Sequence, residues 1–109
     1  MVVSGSSSSQ IQVHVLSEKS YESWYIWMRM VLCSHDLWTY VIDGYPEPVD
    51  AAAELALSNA NRVLLKENRK KDNKALGLIQ QGLNESIFTN ISSVASSKMA
   101  WDILETCYQ

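Results

Sequence analysis

From Tyr21 onward the apolar positions recur every three or four residues, and after each polar break the period resumes as far as Tyr108. The first such run predicts a helix over Tyr21 to Ser34, with Ser20 as N-cap and Glu22 in the first turn. Tyr21, Trp24, Tyr25, Met28, Val31 and Leu32 form its core face. Ile26, Trp27 and Met30 fall on other sides, so the helix is apolar almost all round and implies a second contact surface. The N-terminal segment and a separate molecule are both candidates to cover it.

A short helix follows from Leu37 to about Asp43, capped by Asp36, stopped at Gly44 and carrying Leu37, Trp38, Val41 and Ile42. Tyr45-Pro46-Glu47-Pro48 reads as a stiff connector, because each proline disfavours helix at the residue before it. Asp50 then caps an Ala-rich helix over Ala51 to Leu57, and Ser58 to Asn61 is a break or a continuation.

The stretch Lys66 to Leu83 keeps a helical period while changing from charged to apolar. Leu64, Leu65, Asn68, Asp72, Ala75, Leu78, Ile79, Gly82 and Leu83 fall on one arc, and Lys66, Arg69, Lys70, Asn73 and Lys74 fall outside it. Asn68 and Asp72 therefore interrupt an otherwise apolar face. A buried carboxylate needs donors, and a Trp indole N–H or Tyr hydroxyl is the expected partner of Asp72. Gly82 and Asn84 end this helix, a turn of helix holds Ile87 and Phe88, and Ser96 caps a last helix over Ser97 to Tyr108. Met99, Ala100, Trp101, Ile103, Leu104, Cys107 and Tyr108 line its face. Because the chain stops while that helix is still apolar, the domain is expected to belong to a larger protein or to pack on another subunit.

The fold expected is all-α: a small bundle of about five helices around one core. That core includes Trp24, Met28, Leu37, Trp38, Ala75, Ile79, Trp101, Leu104 and Tyr108. Residues 1–10 are a Ser/Gly-rich flexible lead-in, and residues 11–109 form the domain. Ile11 to Leu16 alternates apolar and polar, giving an extended segment with Ile11, Val13 and Val15 inward. With no second strand to pair with, it is expected as extended coil or in a dimer-mediated pairing.

Composition narrows the function more than it names it. At 109 residues there is room for one core, and four Trp and five Tyr supply large anchors for it. A net charge of −3 disfavours nucleic-acid binding by bulk electrostatics. The charge is unevenly spread, however: Arg62, Lys66, Arg69, Lys70, Lys71 and Lys74 cluster, whereas Asp36 to Glu54 holds no Lys or Arg. A solvated helix face accounts for the cluster, and Lys66, Arg69, Lys70 and Lys74 are the weaker candidate RNA contacts.

Cys33 and Cys107 are too few for a disulfide framework, no signal peptide or membrane-spanning run appears, and an intracellular, cytoplasmic setting is the simplest reading. No metal, cofactor or small-molecule substrate is expected. Cys33-Ser34-His35 cannot complete a four-ligand zinc site, the isolated glycines build no phosphate loop, and Cys33, His35 and Asp36 follow no catalytic spacing. The chain is read as non-enzymatic.

The ordered series Ser20-Tyr21-Glu22-Ser23-Trp24, Leu37-Trp38, Leu65 through Asp72 to Ile79, Ile87-Phe88 and Ala100-Trp101-Asp102-Ile103-Leu104 with Tyr108 resembles the Gag polyprotein of plant Ty1/copia-type retrotransposons. The likeness extends from about Ile11 to Gln109. It implies a helical, capsid N-terminal-like region that self-associates in particle assembly, with the rest of Gag as partner. The family's second capsid half and its zinc knuckle for RNA lie further on, so RNA packaging would not be carried by this sequence alone. The chain departs from the family pattern at Ser20, Trp27, Ser97 and Met99, and Trp27 and Met99 add apolar surface. Ile26, Trp27, Met30, Cys107 and Tyr108 are the candidate self-contacts. The alternative is a Gag-derived module that binds a host protein, its apolar faces receiving a foreign helix.

Overall fold

A computed structural model describes residues 15–17 and 20–108. Among them are six helices: α1 (Tyr21–Ser34), α2 (Trp38–Ile42), α3 (Ala51–Leu55), α4 (Asn59–Gln81), α5 (Glu85–Ile91) and α6 (Ser97–Tyr108). The additional helix relative to the expected five is α5, read from the sequence as only a turn, and the chain also breaks at Ser58 between α3 and α4. The Ser58 side chain accepts from the Asn61 amide and starts α4 there, while Asp50 starts α3 by accepting from Ala53 at 2.8 Å. Asn84, placed by its sequence at the end of α4, caps α5 instead by accepting from Ile87 at 2.9 Å.

The all-α bundle is built on α4, against which α1, α2 and α6 pack. Its core joins Trp24, Met28 and Leu32 of α1 to Ala75 and Ile79 of α4 and to Ala100, Trp101 and Leu104 of α6. Leu37 and Val41 close one side. The Trp24 and Trp101 rings stack with centroids 5.4 Å apart, and Trp38 meets Trp101 edge-on at 5.3 Å. Both arrangements suit the ring quadrupole and add about 0.5–1.5 kcal/mol each to the area term. Trp38 and Tyr108 are half-buried at the rim of this core. The Arg29 guanidinium lies 5.6 Å from the Trp38 ring centroid, a cation–π contact that covers the ring from the solvent side.

The Gly82 carbonyl ties three segments together. It accepts from the Leu16 amide at 2.7 Å and from the Trp24 indole N–H at 2.9 Å, at the point where α4 ends. The extended segment therefore finds its partner within the chain, through an isolated parallel bridge between Leu16 and Leu83. Its phase is the reverse of the expected one. Leu16 is buried and Val15 is 49% exposed, because the bridge turns Leu16 rather than its odd-numbered neighbours onto the core. Ile11, Val13 and the lead-in over residues 1–10 lie outside the described residues.

Two caps differ from their sequence reading. Ser20 makes no cap bond to α1 and turns its hydroxyl to accept from the Ser17 amide at 2.9 Å. Asp36 does not cap α2. It sits at φ 59°, with its amide bonded to the Cys33 carbonyl at 3.0 Å while the Leu37 amide reaches back to Leu32 at 2.8 Å. That pair of bonds closes α1 as a Schellman motif, with Leu32 and Leu37 both buried as its apolar contact. Aspartate serves both as an N-cap and in the left-handed region, so residue type alone does not separate the two roles.

Gly44, at φ 71°, ends α2 by the same left-handed route, and an added Cβ would come 3.3 Å from Lys98 Cδ. Opposite outcomes are expected at the two positions in chemical denaturation. Asp36→Gly should stabilise by about 0.5–1 kcal/mol, and Gly44→Ala should destabilise by about 1–2 kcal/mol.

Candidate functional site

Three features of the folded chain carry chemistry or contact potential: a buried carboxylate, an ion-pair clamp, and the faces of α1, α4 and α6 that the core leaves outside.

Asp72 is 1% exposed and sits on the inner face of α4, as its place in the arc requires. Its partner is neither indole nor phenol. The carboxylate accepts the Ser97 amide, at 3.3 Å from each oxygen, and the Ser97 hydroxyl at 2.5 Å. Ser97 is the first residue of α6 and is itself fully buried. The carboxylate thus takes a donor from the N-terminus of a helix, where both the free amides and the macrodipole favour negative charge. Ser96 supplies the neighbouring cap, its hydroxyl accepting from the Met99 amide at 3.2 Å.

The phenol expected at Asp72 is found one turn earlier, where Tyr40 donates to Asn68 at 2.9 Å. The indole N–H of Trp101 makes no hydrogen bond and is enclosed by the rings of Trp24, Trp38 and Tyr25.

Arg69 spans from α4 to two other segments. Its guanidinium donates to Glu47 in the connector and to Glu54 in α3, the latter at 2.8 and 3.1 Å. Hydrogen bonds from the shared guanidinium hold the pKa values of Glu47 and Glu54 below the usual glutamate range and push that of Arg69 up further. Tyr45 donates to Glu47 at 2.7 Å, and burial together with that carboxylate pushes its phenol up to about 12. Of the candidate RNA contacts, Arg69 is therefore committed within the chain, while Lys66, Lys70 and Lys74 are exposed and form no ion pair among the described residues. The clamp is half open to solvent, so its effect is local: it holds the connector and α3 against α4.

The outward faces are apolar in two stripes. On α1, Ile26 is 56% and Met30 67% exposed, and Cys33 continues the line one turn on. Trp27 beside them is half-buried and packs against the core. On α6, Met99, Ile103 and Cys107 follow each other at four-residue spacing along an open groove of about 460 Å³. Tyr108 turns its phenol toward Asn90, at 3.4 Å.

A further apolar set was not legible as a surface. Val49, Leu55, Val63 and Leu64 are exposed, and Leu64 lines a groove of about 390 Å³ between the connector, α3 and α4. Leu64, assigned to the inner arc, is 55% exposed. Among the described residues no three His, Cys, Asp or Glu side chains group to hold a metal ion, and no helix is long and apolar enough to cross a membrane.

Removing the Asp72 carboxylate should be costly in a way that depends on Ser97. Asp72→Ala strands a buried amide and hydroxyl and is expected to cost about 2–4 kcal/mol in denaturant unfolding. In a double-mutant cycle with Ser97→Ala, the two changes should couple by about 1 kcal/mol or more.

A second expectation concerns the clamp and pH. Because the folded pKa values of Glu47 and Glu54 are depressed, their contribution is present above the ordinary glutamate range and is lost as pH falls through the folded values. Amide exchange over residues 45–57 should be slower in the wild type than in Arg69→Gln at neutral pH, and the difference should vanish in acid.

No curated protein and no solved structure matches the chain. A family model does: that of the gag-polypeptide of LTR copia-type aligns with residues 28–109, from the second half of α1 through α6. The matched span includes Asp72, Arg69, Ser97 and Trp101, and with three quarters of its length in that alignment the chain belongs to the copia-type Gag polypeptide family.

Proposed function

We propose that this domain is a non-enzymatic structural unit of a copia-type Gag that joins to further copies of itself through the outward apolar stripe of α1. The observation that carries the reading is the exposure of Ile26 and Met30, aligned one turn apart with Cys33, on a helix whose opposite face is fully used by the core. Nothing in the described chain covers that stripe, and burying large apolar side chains against a like surface stabilises by about 1.5–3 kcal/mol for each one fully covered. Trp27, half-buried against the core, flanks the stripe. The Met99–Ile103–Cys107 stripe, with Tyr108 at its end, provides a second, separate contact, and two different apolar surfaces on one domain suit repeated assembly.

This reading places the protein inside the cell with the rest of Gag, and assigns particle assembly rather than catalysis to the domain. Light scattering coupled to size exclusion over a range of concentrations tests it. The wild type should show mass rising with concentration, and Ile26→Glu with Met30→Glu should lower that mass at every concentration with an unchanged helical circular dichroism spectrum. A wild type that stays monomeric at the highest concentration would contradict the proposal.

A further inference from the structure

The charge on this chain is sorted by segment, and the fold keeps the two sets apart. Lys66, Lys70 and Lys74 stand one above the other on α4, about 12 Å from first to last, on the side opposite Leu65, Asp72, Ala75 and Ile79. Among the described residues none of the three forms an ion pair, even with Glu67 on the same helix. Residues 36–54 carry five carboxylates and no Lys or Arg.

Arg69 shows what these two sets do when they meet. One guanidinium grips both Glu47 and Glu54, which leaves a net negative charge on the clamp. Asp43, before the clamp in sequence, and Asp50, between its two glutamates, form no ion pair among the described residues. The connector and α3 approach α4 on the Arg69 flank, so the lysine row of the same chain does not reach them.

We infer that the row Lys66, Lys70 and Lys74 docks onto the acidic connector and α3 of a second copy of this chain, around Asp43, Asp50 and the clamped Glu47 and Glu54. The inference rests on the self-association proposed above. Row-on-row pairing is excluded by like-charge repulsion, so the opposing surface must be anionic. The chain supplies such a surface itself. Val63, exposed at the start of the row, adds an apolar contact suited to a protein partner. An RNA backbone is the other polyanion of this spacing. It would approach a chain whose net charge is −3, beside an acidic segment and with no aromatic ring in the row for a base to stack on. A contact between two different surfaces is heterologous and propagates from copy to copy, so it closes into a ring or continues as an open array.

A carbodiimide, which joins ammonium to carboxylate without a spacer, tests the contact when nitrogen-14 and nitrogen-15 labelled copies are mixed. Peptides carrying both labels should link Lys66, Lys70 or Lys74 to carboxylates between residues 43 and 54. Lys66→Glu, Lys70→Glu and Lys74→Glu together should weaken self-association by about tenfold or more, and salt raised from about 0.05 to about 0.5 M should weaken the wild type in the same direction. Association that persists in the triple variant, with mixed-label links elsewhere, would overturn this contact and leave self-association standing. A wild type that is strictly monomeric would overturn both. Loss of oligouridylate RNA binding in the triple variant, with self-association intact, would assign the row to RNA instead.

Discussion

Burying a carboxylate in a domain with one small core costs several kcal/mol unless donors replace its water. At Asp72 both donors come from Ser97, so the charge can be buried only while the start of α6 stands against the middle of α4. The same contact supplies α6 with a negative group at its N-terminus and fixes the register in which Ala100, Trp101 and Leu104 meet Ala75 and Ile79. Apolar packing alone would let two helices slide or rotate at small cost, whereas a charge with one set of donors has one solution.

The remaining architecture follows from that alignment. With α6 fixed on α4, Trp101 stacks on Trp24, and Trp24 in turn reaches the Gly82 carbonyl where the extended segment also attaches. The inner faces of α1 and α6 are then fully used, and what lies outside is what the sequence has in excess: Ile26 and Met30 on one helix, Met99 and Ile103 on the other. For the proposed assembly role, the Asp72 contact fixes how α6 sits on α4 and the helical period leaves these faces outward.

Much of this was readable in advance where a local rule operates. Trp24, Met28, Ala75, Ile79, Trp101 and Leu104 lie on helical arcs and are buried, and Asp50 and Ser96 cap as their types suggest. Asp72 could be assigned to the inner face because periodicity fixes direction. Its partner could not, because Ser97 lies twenty-five residues on and offers a backbone amide that no residue type announces. The Arg69 clamp was hidden for the same reason, since Glu47 and Glu54 reach it only once the two prolines and the Asp50 cap have turned the connector back along α4. Trp38 and Tyr108 read as core because size and position favour it. The fold places them at the rim, where Arg29 and Asn90 cover part of each.

Three methionines sample the surfaces at issue, since Met28 is buried in the core while Met30 and Met99 stand on the two outward stripes. Methyl NMR of methionine-labelled protein in a dilution series therefore reads assembly and fold at once. The account predicts that the Met30 methyl resonance, and with it that of Met99, shifts and broadens as concentration rises while Met28 stays fixed. Three resonances that do not change with concentration would contradict it.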